Sequence, residues 1–166
     1  MIQTFGDVID KPTGCDKHLI LEFSPYTLPL SEEWRNNSLL VNFMANYLNT
    51  LFSTHFDKPE EFKQTVKYVA NELLENAVKF YDKTSLCAIG IQLYLYNERL
   101  IFFVTNSIHL QAVDAFQAYL QVLTSTDPQE LWQEKLANKL EEDNNSSGLG
   151  LLTMLVPYEA KLGWKF

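Results

Sequence analysis

Apolar residues recur every three to four positions along two long stretches of the chain and every second position along a third. From residue 31 to about 51, Leu39, Leu40, Phe43, Met44, Tyr47 and Leu48 keep helical spacing. Ser31 followed by Glu32 and Glu33 supplies a capping residue and first-turn acids, so a helix is expected here. It is read as packing into its own core, with a partner surface as the alternative. A second helix is expected from Asp57 to about Tyr81, with Asp57 capping, Pro59 in the first turn and Glu60 completing a capping box. Phe62, Val66, Val69, Leu73, Ala77 and Phe80 form its expected apolar stripe. Glu72, Asn76 and Lys79, spaced i, i+4, i+7, fall on one polar stripe beside it. Taken alone, those three read first as a solvated face. A carboxylate, a carboxamide and an ammonium in one line also suit a divalent metal and a phosphate chain.

The period then changes to two. Cys87, Ile89, Ile91, Leu93 and Leu95 share one face and Ala88, Gly90, Gln92, Tyr94 and Tyr96 the other. Asn97-Glu98 is the expected reversal into a second strand from Leu100 to Val104, making a hairpin. Thr105, Asn106 and Ser107 close that strand with polar groups, which suit ligand contact. A strand is also expected over 18–24, after a loose lead-in at 1–17 containing Gly6, Pro12 and Gly14. Further helices are expected over 110–125 and from Asp127-Pro128 to about Leu140. Residues 141–147 are acidic and polar. Gly148-Leu149-Gly150 then leads into a short apolar helix, and a glycine pair there lets backbone N–H groups approach an anion. Pro157 stops that helix, and Ala160, Leu162, Trp164 and Phe166 alternate as a final strand.

Composition narrows the classes. A chain of 166 residues holds one domain with a real core. A net charge of −8 argues against nucleic acid as a partner. No apolar run reaches membrane length, and no secretion signal precedes Asp7 and Asp10, so a cytoplasmic protein is expected. Cys15 and Cys87 lack metal-ligand spacing and read as free thiols. His18, His55 and His109 form no metal-binding pattern.

Two segments together resemble a known family. Asn71-Glu72-Leu73-Leu74-Glu75-Asn76-Ala77-Val78-Lys79-Phe80 resembles the N box of the GHKL ATPases and kinases, and Ser147-Gly148-Leu149-Gly150-Leu151-Leu152 resembles their G2 box. The order of elements over 57–166 is similar to that of the Bergerat fold. The resemblance implies an α+β fold: a two-layer sandwich with a mixed sheet and helices on one face. It implies one domain over 1–166, with 110–147 as an ATP lid. It assigns Asn76 to Mg²⁺, Glu72 to general-base catalysis, Lys79 to phosphate, and Gly148, Leu149 and Gly150 to the phosphate cradle. Where the family has Asp-x-Gly-x-Gly, this chain has Asn106-Ser107-Ile108-His109-Leu110. Asn106 matches the adenine-reading aspartate, since its carbonyl oxygen can accept the same hydrogen bond. Both glycines of that motif are absent, and Ile108 is expected to narrow the pocket floor. With Glu72 present and no phosphoacceptor histidine, the chain most resembles the anti-sigma-factor serine kinases of partner-switching systems, including the SiaB-like group. The resemblance therefore implies ATP and Mg²⁺ as cofactors and a STAS-domain antagonist as partner and substrate, and it permits a homodimer. The alternative is a GHKL-derived protein-binding module without catalysis.

Overall fold

In a computed structural model the described residues are 2–14, 17–23, 38–52, 59–96, 99–141 and 148–166. Their elements are β1 (Thr4–Gly6), β2 (His18–Phe23), α1 (Ser38–Phe52), α2 (Pro59–Lys79), β3 (Ile89–Tyr96), β4 (Arg99–Thr105), α3 (Leu110–Ser125), α4 (Pro128–Glu141), α5 (Leu149–Leu155) and β5 (Gly163–Lys165). The class is α+β, as expected. The expected helix start at 31–33, the Asp57 cap, the Asn97-Glu98 reversal and the acidic stretch at 142–147 lie outside the described residues. The chain divides into two compact units, Pro12–His109 and Met1–Lys11 with Leu110–Phe166.

The Pro12–His109 unit is built on an antiparallel sheet in the order β2-β3-β4. Its register aligns Leu19, Leu93 and Phe102 in one row and Leu21, Ile91 and Val104 in the next. These six side chains share a face because the pleat returns to the same side every second residue. That face meets Val41, Met44, Ala45 and Leu48 of α1 and Val66, Ala70 and Leu74 of α2. Met44, Ala45, Ala70, Ile91 and Leu93 are fully buried, so the two helices and the central strand supply most of this core.

The buried stripe of α2 differs from expectation. Val66, Ala70, Leu74, Ala77 and, just past the helix, Tyr81 are buried, whereas Val69 and Leu73 are half-buried and Phe80 is 40% exposed. The core line is turned roughly 60° from the one expected, at about 100° per residue. Two apolar stripes overlap on this helix. The one with two alanines lies against the core, because small side chains let α1 and the sheet approach closely. The turn moves Glu72, Asn76 and Lys79 further from the core line than the sequence suggested.

The other unit corrects the lead-in at 1–17. Thr4–Gly6 is a strand, antiparallel to β5, with Phe5 opposite Trp164 and Gly6 opposite Gly163. Phe5 meets the Phe166 ring edge-on at 6.0 Å. Phe5, Trp164 and Phe166 pack against Leu120, Leu123 and Leu152. A three-residue strand carries too short an alternation to be read alone; its aromatic partners 160 residues away hold it. In the segment expected as a lid, α3 thus brings Leu120 and Leu123 into a core. Asp127 caps α4, its Oδ1 accepting from the Gln129 N–H at 2.8 Å. The resemblance implied one mixed sheet, but every described strand pair is antiparallel, in two sheets. The reason is connectivity: β3 and β4 form a hairpin, and β1 pairs with β5 rather than joining the three-stranded sheet.

Candidate functional site

Helix α2 carries Glu72, Asn76 and Lys79 at successive turns of one stripe. Glu72 and Asn76 are half-buried and Lys79 is exposed. The Glu72 carboxyl titrates above the ordinary carboxylate range, first because burial disfavours its charged form and second because Glu75 lies near it. Glu75 is exposed but not idle. It accepts a hydrogen bond from Asn71 Nδ2 at 2.9 Å, and its charge acts on Glu72. The Lys79 ammonium sits 5.4 Å from the centroid of the Phe80 ring. It lies in the last turn of α2, where the helix dipole favours a cation.

The end of α2 is pinned to the end of β4. Tyr81 bridges Ile108, the Asp82 N–H donates to the Ser107 carbonyl at 3.2 Å, and Ser107 Oγ donates back to the Asp82 carbonyl at 3.4 Å. Asn106 stands one residue before this junction, so the structure places it beside the end of the helix that carries the other three residues. Its Nδ2 donates to the Ser107 carbonyl at 3.1 Å, which leaves Oδ1 as the acceptor it can offer a ligand. Ile108, expected as a pocket floor, serves through its backbone as the bridge to Tyr81. The Asp82 carboxyl is held below its usual range, chiefly by hydrogen bonds from the Thr84 hydroxyl and N–H, and also by nearby His109.

Tyr81 is a positioning residue that the sequence reading left out. Its hydroxyl lies 2.8 Å from the Ser85 carbonyl and 3.0 Å from the Cys87 carbonyl, tying the loop after α2 to the approach into β3. It completes the stripe of Val66, Ala70, Leu74 and Ala77, which is where the sequence could have revealed it. Replacing Tyr81 with Phe removes this donor and leaves two carbonyls short of it. A loss of about 1–2 kcal/mol in urea unfolding is expected; an unchanged midpoint would show that the hydroxyl does not hold the loop.

The glycine segment lies in the other unit. Gly148 has φ 107°, a left-handed conformation natural to glycine, and caps α5. Leu149 and Gly150 are the first two residues of that helix, where backbone N–H groups have no partner within the helix. A Cβ at Gly148 would fall 2.8 Å from the Tyr119 hydroxyl and 2.9 Å from Lys135 Nζ. Lys135 Nζ also sits 5.4 Å from the Tyr119 ring centroid. Burial raises the Tyr119 hydroxyl above its ordinary range, which keeps it protonated. The Tyr119 hydroxyl donates to the Gly148 carbonyl at 3.4 Å, so Tyr119 holds the glycine and Lys135 Nζ stands beside it. Neither residue is legible from spacing, since they precede Gly148 by 29 and 13 positions.

Glu72, Asn76, Lys79 and Asn106 thus belong to the Pro12–His109 unit, and Gly148, Leu149 and Gly150 to the other. Among the described residues no group of three or more His, Cys, Asp or Glu side chains could hold a metal. On α2 the Asn76 carboxamide oxygen is the kind of ligand that would suit a hard divalent ion such as Mg²⁺. Among the described residues no helix is long and apolar enough to cross a membrane. No family model, no curated protein and no solved structure matches the chain.

Proposed function

We propose that this chain is an ATP- and Mg²⁺-binding protein serine kinase of the GHKL kind, a cytoplasmic anti-sigma-type regulator that binds and phosphorylates a STAS-domain antagonist. The observation that carries the reading is the half-buried Glu72 carboxyl, with raised proton affinity, one turn from Asn76 on the same helix. A carboxylate of raised proton affinity is a better acceptor for the proton of a serine hydroxyl than an ordinary surface glutamate. In this reading Glu72 takes that proton as the serine oxygen bonds to the γ-phosphorus of ATP and the bond to the departing ADP oxygen breaks. Asn76 lends its carboxamide oxygen to Mg²⁺, and Lys79 offsets phosphate charge. Asn106 accepts from the adenine amino group. Mg²⁺, when bound, neutralises charge on the transferring phosphoryl group.

A second reading, a GHKL-derived binding module without catalysis, draws on the crowding of Gly148 by Tyr119 and Lys135 and on the missing glycines after Asn106. Calorimetry and thermal shift with Mg-ATP separate the two. The kinase reading expects a binding heat and a rise in Tm at millimolar nucleotide, followed by phosphate transfer to a serine of a STAS-domain protein. No heat and no shift would leave the binding module.

A further inference from the structure

Asn71, Glu72 and Glu75 form a small set on α2. Glu72 and Glu75 stand three positions apart, so their side chains are neighbours on the helix surface. Two like charges so placed repel, and an exposed glutamate relieves the repulsion by swinging into solvent. Glu75 is instead tied down: its Oε1 accepts from Asn71 Nδ2 at 2.9 Å, one turn back along the helix. A charged acceptor makes this bond stronger than one between neutral groups. Around the helix Asn71 and Glu75 lie on the same side of Glu72, about 100° and about 60° from it. The bonded pair therefore runs along one flank of the half-buried Glu72.

Among the described residues little else that is charged comes near. The other neighbours of Glu72 one turn away are Tyr68, Val69 and Asn76, residue types uncharged at neutral pH. Helix α2 packs against α1, β3 and β4. Neither α1 nor β3 contains Asp, Glu, Lys, Arg or His. The single charge of β4, Arg99, stands at the end of that strand away from its junction with the end of α2. Glu75 is accordingly the charge that acts on Glu72, adding to burial in favouring the protonated form. We propose that Asn71 and Glu75 are positioning residues for Glu72: the Asn71 amide fixes the Glu75 carboxylate along its flank, and that fixed charge sets Glu72 as a base. The consequence for phosphate transfer rests on the kinase reading, whereas the charge arrangement does not.

An NMR titration of the Glu72 side-chain carboxyl in the full chain, free of nucleotide and metal, tests this. Glu75→Gln keeps a side-chain oxygen for Asn71 but removes the charge. It should shift the Glu72 titration to lower pH, short of the ordinary glutamate value because burial remains. Asn71→Ala keeps the charge but releases it, and should give a smaller shift in the same direction. Salt at roughly 1 M, where charges are screened beyond about 3 Å, should shrink the Glu75→Gln difference, which a purely structural role would not do. On the kinase reading the acid limb of the pH profile of phosphate transfer moves to lower pH in the same order, in kcat rather than KM. Glu72 unmoved by Glu75→Gln overturns the proposal, and Glu72 unmoved by Asn71→Ala overturns the part given to Asn71. The expected titration shifts in a chain whose wild type transfers no phosphate would sink the kinase reading and leave the charge arrangement standing.

Discussion

Glu72→Gln should abolish most phosphate transfer and still give a protein that melts higher at neutral pH. On the kinase reading the loss is about 100-fold or more, the ordinary weight of a general base, because a carboxamide cannot take the serine proton. The gain in stability follows from where the carboxyl sits. Burial and Glu75 raise its proton affinity in the folded chain, so the folded state prefers the protonated form more than the unfolded state does. Below the ordinary glutamate value of about 4.3 both states are protonated and Glu72 costs nothing. As pH rises through the ordinary value and then the raised folded value, the unfolded chain ionises first and stability is lost. The loss is therefore larger at pH 7 than near pH 4. Gln, which does not titrate, avoids it, and the rise in Tm should be on the order of a degree or two, kept small because solvent screens a half-exposed group. The difference should vanish near pH 4. A Gln variant that melts no higher than wild type at pH 7 would show that Glu72 is not strained. One that melts higher but transfers phosphate undiminished would remove Glu72 from catalysis.

Gly163→Ala should destabilise the chain by about 3 kcal/mol or more, among the largest effects for a single methyl. Gly163 faces Gly6 across the β1–β5 pair. A Cβ there would lie 2.6 Å from the Asp7 carbonyl carbon and 2.8 Å from the Val8 nitrogen. Both are backbone atoms, so no side chain can swing aside and the strands must part. Phe5 and Trp164 would then lose their packing on Leu120, Leu123 and Leu152. Urea unfolding followed by tryptophan fluorescence, to which the adjacent Trp164 contributes, should show the loss. Gly90→Ala is the control: its nearest neighbour is the Glu22 side chain at 3.9 Å, so a shift within about 0.5 kcal/mol is expected. If Gly163→Ala unfolded no more easily than Gly90→Ala, the close β1–β5 approach would not be a constraint on the fold.

Periodicity and punctuation carried most of the element order. The hairpin, the helix at 110–125 and the helix after Asp127-Pro128 all lie where period and caps put them. Local patterns suffice there because each element shows its own alternation and its own start. The face of α2 was harder, since Val69 and Leu73 compete with Ala70 and Leu74 for burial. Size complementarity with α1 and the sheet settled it, and an isolated helix carries no record of its neighbours.

The resemblance implied the α+β class; by itself the sequence determined the hairpin, the line of Glu72, Asn76 and Lys79 on one helix, and the glycine before a short apolar helix. Spacing along a chain of known period is enough for each. Only the tertiary structure decided that Thr4–Gly6 is a strand, that Tyr81 and Ile108 bind the end of α2 to the end of β4, and that Tyr119 and Lys135 gather at Gly148. Those contacts join residues from 13 to 161 positions apart, and no local pattern encodes them. They form because aromatic surface and backbone polar groups must find partners once the chain is compact.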